Sequence, residues 1–228
     1  MDGIPAQTQT QATPFIRLYQ DSDQDAMVHI FRETAAPDLR DAADPVLHYA
    51  SYIWCRPYLM LQPDACLVLD DGTGHAVGYL LGVPHTPSFV ERYERTYIPF
   101  LQTLGLDKPE PGHPTDLPNA LRQIMFTPRG MLHDEHPELL RQWPAHLHID
   151  ILPPFQKHGY GRQLMEQFCE RASASGARGV HLLMAASNEQ AGKFYDRLGF
   201  LRFPAVLDDG ASGEKGRDPD TIWLVKNL

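Results

Sequence analysis

Positive charge is in short supply. Lys and Arg number 20 against 29 Asp and Glu, a formal net charge of −9. That balance excludes a nucleic-acid backbone or an anionic membrane as the principal partner, because both are bound through clustered cations. Cysteine is scarce as well. Cys55, Cys66 and Cys169 are an odd number in unrelated contexts, with no C-x-x-C spacing. This argues against a disulfide framework and for reduced thiols in a cytoplasmic protein. No apolar run approaches the ~18 residues that span a bilayer. Met1 to Thr13 is polar, rich in Gln and Thr, and lacks the basic-then-apolar order of a secretory leader. It reads as a frayed tail over 1–13. What is present is ordinary: 43% hydrophobic and 21% charged residues over 228 positions, enough for one sizeable core without staples.

Periodicity points to a mixed α/β domain over 14–228. Pro14 to Gln20 alternates like a strand. Ser22 opens a helix with Met27, Ile30, Phe31 and Thr34 on one face, and Asp25 serves as a capping-box partner. A second helix starts at Asp44 and is kinked or ended by Pro57. Two apolar runs, Ala65 to Asp70 and His75 to Val83, flank Asp71-Gly72-Thr73-Gly74 as a hairpin. Residues 84–144 fit no simple crossover and read as an insertion. Within it, Ser88 to Leu104 is helical, with Phe89, Tyr93, Tyr97 and Phe100 as a core stripe and Pro99 weakening its last turn. A proline-rich loop, Gly105 to Pro118, and two short helices follow. From Ala145 the order is strand, helix from Gly159, strand from Gly179, helix capped by Ser187 or Asn188, strand from Phe200 to Val206, an Asp/Gly-rich loop, and strand from Thr221.

Chemistry concentrates in His146 to Arg162. An apolar strand passes through a short turn to Gly159 and Gly161, which open an amphipathic helix. Glycine lets backbone approach a ligand closely. The first helical N–H groups lack internal partners and sit at the positive end of the helix dipole. The arrangement predicts an anion seat, suited to a phosphate or pyrophosphate, with Lys157, His158 and Arg162 adding positive charge. The two glycines alone fit a purely structural turn equally well. Asp150 lies in the apolar strand, where an unpaired carboxylate is costly and burial raises its pKa. It is either a base or a carboxylate satisfied by its neighbours. His146, His148 and Asp150 alternate onto one face. Ordinary hydrogen-bonded histidines explain them better than a metal site, since no further ligands with defined spacing are evident.

Gln156-x-x-Gly159-x-Gly161 is followed by Asn188-x-x-Ala191-x-x-Phe194-Tyr195-x-x-Leu198-Gly199-Phe200. Together these resemble the GNAT superfamily of N-acetyltransferases, clearly over Ala145 to Phe200. The block from Tyr49 to Tyr58 and the run from Leu147 to Gly161 are further similar to the acetyltransferase-like domain of eukaryotic O-GlcNAcases and its stand-alone relatives. The resemblance implies a mixed, mostly antiparallel seven-stranded sheet with helices on both faces and a helical insertion before the fourth strand. It implies acetyl-CoA as cosubstrate, held by Gln156, Lys157, His158, Gly159, Tyr160, Gly161, Arg162 and Asn188. Backbone N–H groups of Ile151 and Leu152 would face the thioester, and Tyr195 would protonate the leaving thiolate. From spacing alone, Tyr195 fits a core aromatic better. The implied activity is acetyl transfer to a primary amine in a ternary complex, without a metal and without a cysteine intermediate. The acceptor is a small amine or a protein lysine. The rival readings are a non-catalytic acetyl-CoA-binding or interaction module and, more remotely, a metal-dependent hydrolase.

Overall fold

The computed structural model describes residues 13–42, 45–110, 116–205 and 221–228. Seven strands form one sheet: β1 (Phe15–Leu18), β2 (Cys66–Asp70), β3 (Ala76–Val83), β4 (Ala145–Ile151), β5 (Gly179–Ala185), β6 (Leu201–Arg202) and β7 (Thr221–Asn227). Their order across the sheet is β1-β2-β3-β4-β5-β7-β6. Only β4 and β5 pair parallel; every other neighbouring pair is antiparallel. The fold is the mostly antiparallel seven-stranded sheet expected from the resemblance. The β2–β3 hairpin is built around Asp70, whose carboxylate accepts N–H bonds from Gly72 and Gly74 at 2.8 and 3.0 Å and an Arg17 bond at 2.9 Å.

Helices cover both faces. The residues of β3 alternate between two apolar clusters, as a strand buried on both sides must. Tyr79, Leu81 and Val83 face α1 (Gln24–Thr34) and α3 (Val46–Trp54), while Leu80 faces α9 (Tyr160–Ala174). Gly82 has no alternative there: a Cβ would lie 2.3 Å from the ring of the buried Phe168 on α9. Between α1 and α3 lies the single turn α2 (Pro37–Arg40), and α4 (Arg56–Leu61) follows α3. The interruption expected near Pro57 is present. The chain breaks at Cys55, and Pro57 sits in the first turn of α4, where its missing N–H costs nothing. The first helix also starts differently from expectation. A 3-10 turn, Asp21–Asp23, precedes α1, and Asp23 rather than Asp25 accepts the Gln20 N–H at 2.9 Å. Three residues is the reach of a capping box, so Gln20 is the cap.

The helical elements between β3 and β4 comprise α5 (Thr86–Arg92), a π turn (Tyr93–Tyr97), α6 (Ile98–Thr103), α7 (Leu117–Met125), a 3-10 turn (Pro128–Leu132) and α8 (Pro137–Gln142). They cover one face, with α7 against α3 and the π turn against α4. The π turn stands directly before Pro99, whose ring would strike the carbonyl four residues back in a regular helix. Phe89, Tyr93 and Tyr97 are buried, and Tyr97 O–H donates to Tyr52 O at 3.2 Å. The remaining helix is α10 (Glu189–Arg197). The expected strand over Phe200 to Val206 is only two residues long, with Phe203 turned into a small cluster with Trp223 and Leu139. The expected tail over 1–13, apart from Thr13, and the loop 207–220 lie outside the described residues. So does the expected helix start at Asp44.

Candidate active site

The parallel pairing of β4 with β5 ends early. Its register stops at His146↔His181, although β4 runs on to Ile151 and β5 to Ala185. The free edges beyond that point bound a splay. Leu152 N–H donates to Val77 O at 2.9 Å, on the β3 side. Successive N–H groups along a strand alternate sides, so Ile151 N–H is turned towards β5. Of the two amides expected to face the splay, Leu152 is therefore a correction: its N–H is spent on β3.

Beyond β4, Gln156 Nε2 donates to Ile151 O at 2.8 Å and ties the loop to the strand end. Lys157 and Gly159 take left-handed conformations, φ 64° and 88°. A Cβ on Gly159 would meet nothing within 4 Å, so open space lies before it. Gly161 is different: a Cβ there would lie 3.3 Å from the Phe194 ring. It lets α9 approach α10. The first intrahelical bond of α9 is Gln163 N–H to Gly159 O. The N–H groups of Tyr160, Gly161 and Arg162 precede it, at the positive end of the helix. Arg162 is exposed and pairs with Glu166 at 2.6 Å.

A groove of about 670 Å³ gathers most of the expected residues. Asp150, Ile151, Gln156, Lys157, Gly159, Gly161 and Arg162 line it from β4, the loop and α9. Asn188 and Tyr195 line it from α10, where Asn188 Oδ1 caps the helix through Ala191 N–H at 3.0 Å. His158, Tyr160 and Leu152 are not among its lining residues. Tyr79 O–H donates to Asp150 Oδ2 at 2.6 Å. Burial pushes the Asp150 carboxyl up to about 6, with the Tyr79 and Thr34 hydroxyls pulling the other way. A carboxyl near 6 is mostly ionised at neutral pH yet basic enough to take a proton. Tyr195 is buried, and burial with the nearby Asp150 charge raises its phenol well above the ordinary value. It therefore holds its proton at neutral pH. All three cysteines are free, and burial pushes the Cys66 thiol up to about 12.

The acetyltransferase (GNAT) family model matches residues 127–200. The crystal structure of SsHAT is 36% identical, with a TM-score of 0.79, over 94% of this chain and 98% of that one. The chain belongs to the GNAT acetyltransferase family. Protein O-GlcNAcase of Rattus norvegicus is 26% identical over 176 residues, 75% of this chain. The chain spans 17% of the length of that relative. A phosphinothricin acetyltransferase from Sinorhizobium meliloti, solved in complex with AcCoA, shares the fold at a TM-score of 0.52 and 14% identity, over 95% of this chain and 89% of that one.

Sequence reasoning missed several residues of this GNAT groove. Tyr79 reads in sequence as one more aromatic in a buried strand, and its partner lies 71 residues away. Glu33 and Thr34 from α1 and Arg40 from α2 close the far side. Thr34 is legible only as part of the inner face of its helix, and nothing in the local pattern of Glu33 or Arg40 marks them. His146 and His148 do share a face with Asp150, but Tyr58 O–H bridges their Nε2 atoms at 3.1 and 2.9 Å. Among the described residues no group of three or more His, Cys, Asp or Glu side chains is disposed to hold a metal ion.

Proposed function

We propose that this acetyltransferase uses acetyl-CoA and transfers its acetyl group to a primary amine by direct attack within a ternary complex, in the cytoplasm. The observation that carries the reading is one groove holding a carboxyl with pKa about 6, a protonated phenol and a loop of unpaired helix-start N–H groups. The open space before Gly159 fits a phosphate group, and the AcCoA bound by the Sinorhizobium meliloti neighbour supports the choice of cosubstrate. Acetyl-CoA, when bound, supplies the acyl group as an activated thioester. The N–H groups of Gly161 and Arg162, with Lys157, bind its phosphates. Ile151 N–H offers a donor for charge on the acyl oxygen. Asp150 takes the proton from the attacking amine, and Tyr195 gives its proton to the departing sulfur. No cysteine lines the groove among the described residues, which supports direct transfer over an acyl-enzyme.

The test combines titration calorimetry with acetyl-CoA and thiol release across an amine panel. Binding with turnover by at least one amine upholds the proposal. Tight binding with no turnover favours a second reading, a non-catalytic acetyl-CoA-binding module. That reading draws support from Gln156 and Arg162, whose polar groups are already engaged by Ile151 O and Glu166.

A further inference from the structure

At the root of the splay, where β4 and β5 part, lies a second cavity of about 210 Å³. His146, Leu147 and His148 line it from β4, and His181, Leu182 and Leu183 from β5. The groove begins one residue further along β4, at Ile149. The outer wall comes from Trp54 on α3, Ile124 on α7, the 3-10 turn at Pro128 to Met131, and Trp223 on β7. The exposed residues Thr127, Gly130 and Leu183 mark its mouth.

We infer that this chamber binds an uncharged, ring-sized apolar group of the acceptor, so that the enzyme's substrates are aryl-bearing primary amines. The inference rests on the proposed acetyl transfer. Its support is the lining. Among the described residues around the chamber there is no Asp, Glu, Lys or Arg. Three of its four imidazoles supply no charge either: burial lowers His148 and His181 to about 4 and His146 well below its ordinary value, and the fourth, His133, stands edge-on to the Trp223 ring with 4.6 Å between centroids. A polyamine chain would leave its cations uncompensated here. The volume exceeds the ~150 Å³ apolar cavity that accepts benzene, which leaves room for a ring and a short stem.

The polar groups present suit an amine end. Thr86 Oγ1 donates to Pro144 O at 2.7 Å, so its proton is committed. His146 Nδ1, 2.7 Å from Thr86 Oγ1, must then donate to that hydroxyl oxygen. That leaves His146 Nε2 to accept from Tyr58 O–H, and the Tyr58 oxygen to accept from His148 Nε2–H. His148 Nδ1 is left as a hydrogen-bond acceptor. It is carried two residues from Asp150, about 7 Å along the same strand face. His148 on the chamber wall and Asp150 on the groove wall thus stand on one strand face, and the inference places the amine of a short-stemmed ligand between them.

The experiment compares 2-phenylethylamine, benzyl alcohol and spermidine by calorimetry and by the NMR position of the Trp223 indole N–H, with acetyl-CoA titrated separately. The expected result is that both aryl probes shift the indole signal, and that phenylethylamine binds at least tenfold more tightly than spermidine. Gly130→Phe puts a ring at the mouth, where a Cβ meets nothing within 4 Å. It should weaken phenylethylamine more than tenfold and leave acetyl-CoA affinity unchanged. Leu183→Glu, at an exposed rim position, should turn the preference towards spermidine. Aryl probes that leave the indole unmoved while acetyl-CoA binds overturn the chamber alone, as does equal binding of spermidine. Aryl binding without any acetyl-CoA binding upholds the chamber as a ligand site and overturns the proposed transfer.

Discussion

Removing one oxygen atom from Tyr79 tests the charge state on which the proposed chemistry depends. Tyr79→Phe keeps the ring, which is fully buried, and deletes the 2.6 Å bond to Asp150. A hydrogen bond to a charged group is worth ~1.5–3 kcal/mol, and one pKa unit corresponds to about 1.36 kcal/mol. Losing the donor should therefore raise the carboxyl from about 6 to roughly 7–8. At pH 7 the ionised fraction would fall from about nine-tenths to between one-half and one-tenth. With an acceptor that the wild type uses, kcat/KM at pH 7 should drop about two- to tenfold and recover by about pH 9. Asp150→Asn should recover only where the amine deprotonates unaided. Stability moves with the same sign. A carboxyl raised on folding favours the fold most below its unfolded pKa, and that advantage is lost as pH rises through the folded value. The variant should accordingly lose more melting temperature at pH 8 than at pH 5. Thiol release from pH 5 to 9 and a carbon-13 titration of Asp150 read the two effects independently. A carboxyl that still titrates near 6 in Tyr79→Phe refutes the reasoning.

Tyr195→Phe should preserve fold and acetyl-CoA affinity and slow single-turnover transfer by roughly ten- to a thousandfold; a wild-type rate with chemistry limiting removes its acid role. Gly159→Val forces a β-branched side chain into φ 88° and should weaken CoA binding more than tenfold by calorimetry, with Gln156→Ala costing less. Gly161→Val should instead lower both affinity and melting temperature, because it presses on Phe194. Saturating acetyl-CoA should raise the thermal midpoint and chelators should leave it unchanged; a chelator-induced drop reversed by zinc would revive the metal reading.

The part of the chain from β4 onwards was legible because its boundaries are written in single residues. Gly159, Gly176 and Gly199 all take left-handed backbone at φ 81° to 89° and punctuate α9 and α10, and Asn188 caps where its type prefers to cap. The N-terminal part is harder because Pro57 and Pro99 mark interruptions without showing how the helix resumes beyond them. One begins α4, and the other is accommodated by the π turn. In the site, the loop was readable as a pattern of glycines. The Leu152 amide was not, because strand alternation and the exact end of the β3–β4 ladder decide which side an N–H serves. Tyr79 was hidden for a related reason. A hydroxyl on a buried strand declares its partner only when register pairs Tyr79 with Asp150. Of the chamber, sequence reading reached only the aromatic stripe of the insertion, from which Tyr93 lines it; the rest of the wall is assembled from α3, α4, α7, β4, β5 and β7.

The early end of the β4–β5 ladder also divides the molecule mechanically. One leaf of the sheet is β1 to β4 and the other is β5, β7 and β6, joined along a seam of two paired positions. Few backbone bonds resist a change in the width of that seam. Its aperture is set by side chains, above all where Phe168 of α9 seats on Gly82 of the first leaf while other α9 residues share a core with the second. Substitutions along α9, distant from any reacting atom, are thus the natural means of opening or narrowing the cleft.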